Sequence, residues 1–178
     1  IGNDLLIGGE GNDTYFIARN QGADKVRNFD PSGTDFDHVT FDSGIVYTDV
    51  WFERINDAGV VSATGNHVRM NLLGASGTEG SVTIENWFTL PGRDQPDNFF
   101  KIDLVSDGVN RATMPVNIDA LVNAMAGIPV GSRPNTQAQM AALLSSNIAF
   151  RTSVEDNWGR LSAPNISDVG SISTSEPL

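Results

Sequence analysis

Glycine recurs in the first sixteen residues at positions that leave the backbone few choices. Gly8-Gly9-Glu10-Gly11-Asn12-Asp13-Thr14-Tyr15-Phe16 is a complete nonapeptide of the form G-G-x-G-x-D-x-U-x, with U a large apolar residue. Ile1-Gly2-Asn3-Asp4-Leu5-Leu6-Ile7 is the last seven residues of another. The glycines admit conformations closed to residues with a Cβ, so each repeat opens on a sharp turn. After each aspartate, Leu5-Leu6-Ile7 and Thr14-Tyr15-Phe16 have strand alternation, with Leu6 and Tyr15 expected to face inward. Gly-Asn-Asp is also an ordinary turn sequence. A turn alone does not explain an apolar residue at a fixed offset after each aspartate.

Such a turn suits a hard cation. Calcium takes roughly six to eight oxygens from carboxylates and main-chain carbonyls in a flexible cage. Asp4 and Asp13 supply carboxylates, and Gly2, Gly8, Gly9 and Gly11 let the intervening carbonyls point at an ion. Downstream, Gln21-Gly22-Ala23-Asp24-Lys25-Val26 and Ser32-Gly33-Thr34-Asp35-Phe36-Asp37-His38-Val39 read as degenerate repeats that keep an aspartate before a β-branched residue.

The charge distribution agrees. The chain of 178 residues carries a formal charge of −11, which argues against nucleic acid or an anionic membrane as partner. Within residues 1–42, eight acids (Asp4, Glu10, Asp13, Asp24, Asp30, Asp35, Asp37 and Asp42) face three bases (Arg19, Lys25 and Arg27). A segment of this kind repels itself until cations neutralise it, so folding and ion binding should be coupled. Cysteine is absent, which rules out a disulfide framework and thiol chemistry. No run of apolar residues is long enough to read as a membrane span, and no N-terminal signal peptide is evident.

Beyond the repeats, short β-rich pieces alternate with Gly, Asn and Asp turns. Val46 to Phe52, Val60 to Ala63, His67 to Leu73, Ser81 to Ile84 and Phe99 to Val105 read as strands continuing the sheet. After Pro115 the period becomes helical. Asn117 is a plausible N-cap for a helix carrying Ile118, Leu121, Val122 and Met125 and stopped by Gly127. A second helix is expected from Thr136 to about Phe150, carrying Met140, Leu143, Leu144 and Ile148. The tail from Ser162 to Leu178 is rich in Ser and Thr and poor in periodicity, so it is expected to be weakly ordered.

The repeats, followed by Ser81-Val82-Thr83-Ile84-Glu85-Asn86-Trp87-Phe88 and then Ile118-Asp119-Ala120-Leu121-Val122-Asn123-Ala124-Met125, resemble the C-terminal parts of the RTX (repeats-in-toxin), haemolysin-type calcium-binding family. The resemblance covers most of residues 1–150 and is strongest at the repeats. It implies a parallel β-roll with two nonapeptides per turn and each ion held between vertically adjacent turns. On that geometry Asp4 pairs with Asp24, and Asp13 with Asp35 or Asp37, although these spacings exceed the regular repeat. The candidate metal ligands are therefore Gly2, Asp4, Gly9, Gly11, Asp13, Gly22, Asp24, Asp35 and Asp37, with calcium as the cofactor. Because Ile1 falls in mid-repeat, further repeats are expected upstream.

The expected architecture is mainly β: a calcium-bound roll end at 1–41, a β-rich cap around Trp87 at 42–115, and a segment with two α-helices and a flexible tail at 116–178. The resemblance implies a secreted or cell-surface protein of a Gram-negative bacterium, folding outside the cell, with a C-terminal address for a type I secretion system. Trp87 and Phe88 read as core packing rather than a binding surface. Catalytic signals are weak. His38 and His67 have no zinc spacing, and no G-x-S-x-G elbow is present. Asp35 and Asp37 are better explained by calcium or turns than by acid–base work, and Asp30-Pro31 by an ordinary turn than by self-cleavage. The expectation is a non-enzymatic module. The alternative is a ligand-binding or assembly module, polysaccharide-binding or part of an adhesin or surface layer. Arg93, Arg111 and Arg133 are its only basic candidates, and contact with carbohydrate or membrane has no other support in the sequence.

Overall fold

The computed structural model describes residues 1–29, 36–88, 104–106 and 117–158. Eight strands lie among them: β1 (Leu5–Ile7), β2 (Thr14–Ile17), β3 (Ala23–Arg27), β4 (His38–Phe41), β5 (Val50–Ile55), β6 (His67–Leu73), β7 (Thr78–Ile84) and β8 (Leu104–Ser106). Three helices follow, α1 (Ile118–Ala126), α2 (Gln137–Ser146) and α3 (Ile148–Asn157). One sheet has the order β1-β3-β7-β6-β5 and the other β2-β4-β8, which makes the described residues a mixed α/β structure.

The first four strands alternate between the sheets, and every pair they form is parallel. Leu5 pairs with Lys25 and Ala23 with Ser81 in one sheet; Thr14 pairs with His38 and His38 with Leu104 in the other. Alternation fixes the buried side. Val26, Val82 and Ile84 from one sheet, and Tyr15, Ile17, Val39 and Phe41 from the other, belong to one apolar core. Leu6 is only partly buried against that core, and Tyr15 is fully buried.

The second half of the larger sheet is antiparallel, β5 with β6 and β6 with β7. The cap thereby continues the sheet through β7, whose other edge pairs in parallel with β3. The first half of strand β5, Val50 to Phe52, is buried on both faces, where α3 sets Phe150 against Trp51 and is followed by Trp158 against Phe52. Trp87, just past β7, is 5% exposed, and its indole N–H donates to Asp119 Oδ1 at 2.6 Å in the first turn of α1.

Several expectations are corrected. The helix expected from Thr136 to about Phe150 is two helices, so the described residues of the C-terminal segment hold three α-helices. Asn147 breaks it at φ −122° and ψ 88°, closing α2 while its side chain accepts the Phe150 N–H to start α3. Asparagine competes with the helical backbone through such local bonds. Val60 to Ala63 is not a strand: Val61 makes one isolated bridge to Ile55, because Asn56 Oδ1 accepts the Ala58 and Val60 N–H groups and holds a turn there. Val46 to Phe52 opens with a 3-10 turn at Tyr47–Asp49 before β5 begins. Of the strand expected over Phe99 to Val105, only Leu104 and Val105 are described, and the tail from Ser162 lies outside the described residues.

Candidate metal centre

The glycine turns and the strand register together stack the aspartates. Leu5 opposite Lys25 brings Asp4 beside Asp24, and Thr14 opposite His38 brings Asp13 beside Asp37. Asp35, Asp30 and Pro31 lie outside the described residues. Of the two partners read for Asp13, the register selects Asp37.

Both layers use one hydrogen-bond pattern. In the first, the Asp4 N–H donates to Asp24 Oδ1 at 3.0 Å, the Lys25 N–H to the Asp4 carbonyl at 2.8 Å, and the Ala23 N–H to Asn3 Oδ1 at 2.9 Å. In the second, the Asp13 N–H donates to Asp37 Oδ1 at 2.9 Å, the His38 N–H to the Asp13 carbonyl at 2.8 Å, and the Phe36 N–H to Asn12 Oδ1 at 2.7 Å. Each Asn-Asp pair therefore ties its turn to the next one. Asn3 and Asn12 were absent from the candidate ligands read from the sequence. The signal was the Gly-Asn-Asp triplet that occurs in both repeats.

The glycines meet two demands. Gly2, Gly9, Gly11 and Gly22 have φ of +150°, +103°, +104° and +118°, where a side chain is strained. A Cβ on Gly22 would also run into the Gly2 carbonyl, and one on Gly8 into the Tyr15 hydroxyl and the Asp13 carboxylate. The turns are thus built for close approach of backbone to backbone and backbone to carboxylate. In the degenerate repeat, Asn20 stands four residues before Asp24, as Gly9 stands before Asp13, and it too is left-handed at φ +58°. Asparagine tolerates this region better than other non-glycine residues.

The downstream carboxylates are enclosed, while Asp4 is exposed and Asp13 half-buried. Asp24 is 8% exposed and Asp37 2%. Asp37 Oδ2 accepts from Asn28 Nδ2 at 2.7 Å, and Asn28 Oδ1 accepts from the Tyr15 hydroxyl at 2.6 Å. Burial, then the charges of Asp13 and Asp37, push the Tyr15 hydroxyl far above its ordinary value of 10.0. Tyr15 therefore acts as a donor in this chain and not as a base. Burial also lowers the pKa of His38, whose ring lies against the Thr40 hydroxyl. Asn28 was invisible to sequence reasoning, since it follows β3 and matches no position of the repeat.

The column in the larger sheet ends at its third layer. Gly80, at φ +133°, stacks on Gly22, but the residue opposite Asp24 is Val82. The turn persists while the carboxylate is lost. Among the described residues, no three His, Cys, Asp or Glu side chains converge as a metal-binding group. An ion held at either layer would need main-chain carbonyls as well as the aspartates. This donor chemistry fits calcium, which accepts carbonyl and carboxylate oxygens together, and does not fit zinc, which selects nitrogen and sulfur. No protein-family model matches the chain, and no curated protein matches its sequence.

Proposed function

We propose that residues 1–41 are the end of a calcium-binding parallel β-roll of the RTX type, and that the chain is a non-enzymatic module whose folding calcium switches on outside the cell. The observation that carries this reading is the duplicated ladder: Asn3-Asp4 on Asp24 and Asn12-Asp13 on Asp37 repeat the same bonds in two different sheets. Charge supports it. All three bases of residues 1–42 form ion pairs with acids outside the segment: Arg19 with Asp49 and Glu79, Lys25 and Arg27 with Glu85. The segment's acids are not balanced by its own bases.

In this mechanism Asp4 and Asp24 hold one ion, and Asp13 and Asp37 another, with carbonyls of the Gly2, Gly9, Gly11 and Gly22 turns. Calcium supplies positive charge and cross-links successive turns. The chain supplies glycines that can take up the left-handed φ of the turns and a core that seals the inward side of each strand. Extracellular modules bind with Kd of roughly 10⁻⁴ to 10⁻³ M. At about 1 mM calcium the tighter limit gives about 1.4 kcal/mol per site, and at cytosolic levels almost nothing. The same reading makes the protein a secreted one, exported in an extended state by a type I system. The address for that system would lie in the tail, which falls outside the described residues.

The test is a calcium titration followed by circular dichroism and calorimetry. Asp13→Ala and Asp24→Ala should each weaken binding about tenfold or more, since each removes a charged ligand. Asp57→Ala should change it less than about twofold, because Asp57 lies in an exposed turn and bonds to His67. Equal losses in all three, or a β signal indifferent to chelator, would sink the reading.

A second reading, a ligand-binding module, is favoured by one observation. A cleft of about 480 Å³ lies over the outer face of the larger sheet, lined among others by Lys25, His67, Arg69, Thr83 and Glu85. Its charged groups are already engaged: Arg69 bonds Glu53 and the Gly59 carbonyl, Lys25 pairs with Glu85, and His67 with Asp57. Among the described residues no Phe, Tyr or Trp lines it to offer a sugar ring a stacking face.

A further inference from the structure

Arg19 stands five residues before Asp24, where Gly8 stands before Asp13. The degenerate repeat therefore begins with a long cation in place of a glycine. Its guanidinium gathers only oxygens: Nη1 donates to the Leu73 carbonyl at 2.7 Å and to Glu79 Oε2 at 2.9 Å, and Nη2 to Asp49 Oδ2 at 2.9 Å. Asp49 is 5% exposed. Its Oδ2 also accepts the Val46 N–H at 3.1 Å, and its Oδ1 accepts from Gln137 Nε2 at 2.9 Å, the first residue of α2. The Gln137 N–H in turn donates to the Gly74 carbonyl at 2.9 Å, and the Asn20 N–H to the Glu79 carbonyl at 2.6 Å.

We infer that Arg19 is the positioning residue that carries calcium binding into the cap and the helices, an inference that rests on the calcium reading above. The turn bearing Asn20, Gly22 and Asp24 would be ordered by an ion held with Asp4. The same turn fixes the base of the Arg19 side chain. When the turn is ordered, the guanidinium is delivered to Asp49 and Glu79; when it is not, Asp49 is a buried carboxylate whose cation has swung away. Such a carboxylate opposes closure of the 3-10 turn at Tyr47–Asp49 and of the contact with Gln137. The column thus ends not in another metal layer, since Val82 stands where a ligand would be, but in a cation belonging to the chain. By reciprocity, a formed cap tightens calcium binding.

The tryptophans make this measurable, because Trp51, Trp87 and Trp158 all lie outside residues 1–42. Tryptophan emission reports the cap and helices, while amide exchange in residues 1–29 reports the roll. In the unaltered chain both should follow one calcium curve; absence of any calcium response there would refute the calcium reading itself. The decisive variant is Arg19→Met with Asp49→Asn, which removes both charges of the half-buried pair. Exchange protection in residues 1–29 should still saturate with calcium, at a midpoint about tenfold higher, within the range of ordinary coupling between sites. The tryptophan signal should no longer follow that curve. Arg27→Met, which breaks an exposed pair with Glu85, should leave the curves coincident. Coincident curves within about twofold of the parent in the double variant would overturn the inference. So would a double variant unfolded at saturating calcium, because the cluster would then be a stability element and not a transmitter.

Discussion

Replacing Trp87 tests whether the cap and α1 are one cooperative piece, and two variants separate the contributions. The side chain is 5% exposed and belongs to the main core. Truncation to alanine removes a large buried ring and leaves a cavity, a loss of about 3–5 kcal/mol in well-packed sites. Trp87→Phe keeps most of the ring and deletes the 2.6 Å bond from the indole N–H to Asp119 Oδ1. Hydrogen bonds to charged groups contribute about 1.5–3 kcal/mol. Asp119 is only partly buried, so solvent replaces some of what is lost and the lower end applies. The expected order is therefore a loss of about 1.5 kcal/mol for phenylalanine and at least twice that for alanine. Urea unfolding followed by circular dichroism at saturating calcium measures both. An alanine variant that loses less than about 1 kcal/mol would refute the packing argument. It would return Trp87 to the surface-binding role considered for it from the sequence.

Two further substitutions probe the stacked turns of residues 1–29 and their parallel strands. Gly22→Ala should abolish calcium-dependent folding of residues 1–41 rather than trim it, because the new Cβ meets the fixed Gly2 carbonyl at a φ of +118°; Gly59→Ala, in an open turn at φ +75° with free space around it, should cost only about 1 kcal/mol, and equal effects in calcium-titrated dichroism would contradict the stacked-turn geometry. Tyr15→Phe should cost about 1 kcal/mol at neutral pH through loss of the bond to Asn28. It should also remove an alkaline weakness: unfolded tyrosine ionises near 10.0 while folded Tyr15 keeps its proton, so stability present below that pH is lost as pH rises beyond it. A parent and variant that lose stability in parallel above pH 10.0 would show that Tyr15 is not the group responsible.

Local signals and long-range ones were not equally readable. The pairing of Asp4 with Asp24 follows from two apolar-strand registers and a shared glycine turn, all written within about two dozen residues. Strand β6 matches its observed bounds, His67–Leu73, because its alternation runs from His67 to Leu72 and breaks only at its last residue. The break at Asn147 was missed because the apolar spacing from Met140 to Ile148 continues across it, and periodicity outweighed the capping preference of asparagine. Val60 to Ala63 has strand-forming residues, but the turn held by Asn56 leaves Val61 a single bridge to Ile55, so context overrode propensity.

What the sequence concealed is the machinery joining the repeats to the rest. Arg19 meets its acidic partners 30 and 60 positions away, and one of them meets Gln137 a further 88 away. Nothing in the local pattern distinguishes such an arginine from one on a solvated turn. Its position in the repeat is the one clue, since an arginine where the motif begins with glycine is a departure from a rule otherwise set by backbone geometry. The same logic applies to Val82, an apolar residue at the aspartate position of a turn whose glycine is retained. The departures at Arg19 and Val82 fall on adjoining layers of one column, and on the calcium reading proposed above they mark where the repeated metal site would give way to a closed end. A solenoid must stop somewhere, and its last turn needs a face that no further turn will cover. Here the antiparallel pair β5–β6 covers the edge of β7, and on the proposed calcium reading the guanidinium of Arg19 would supply the positive charge that a further ion would otherwise bring.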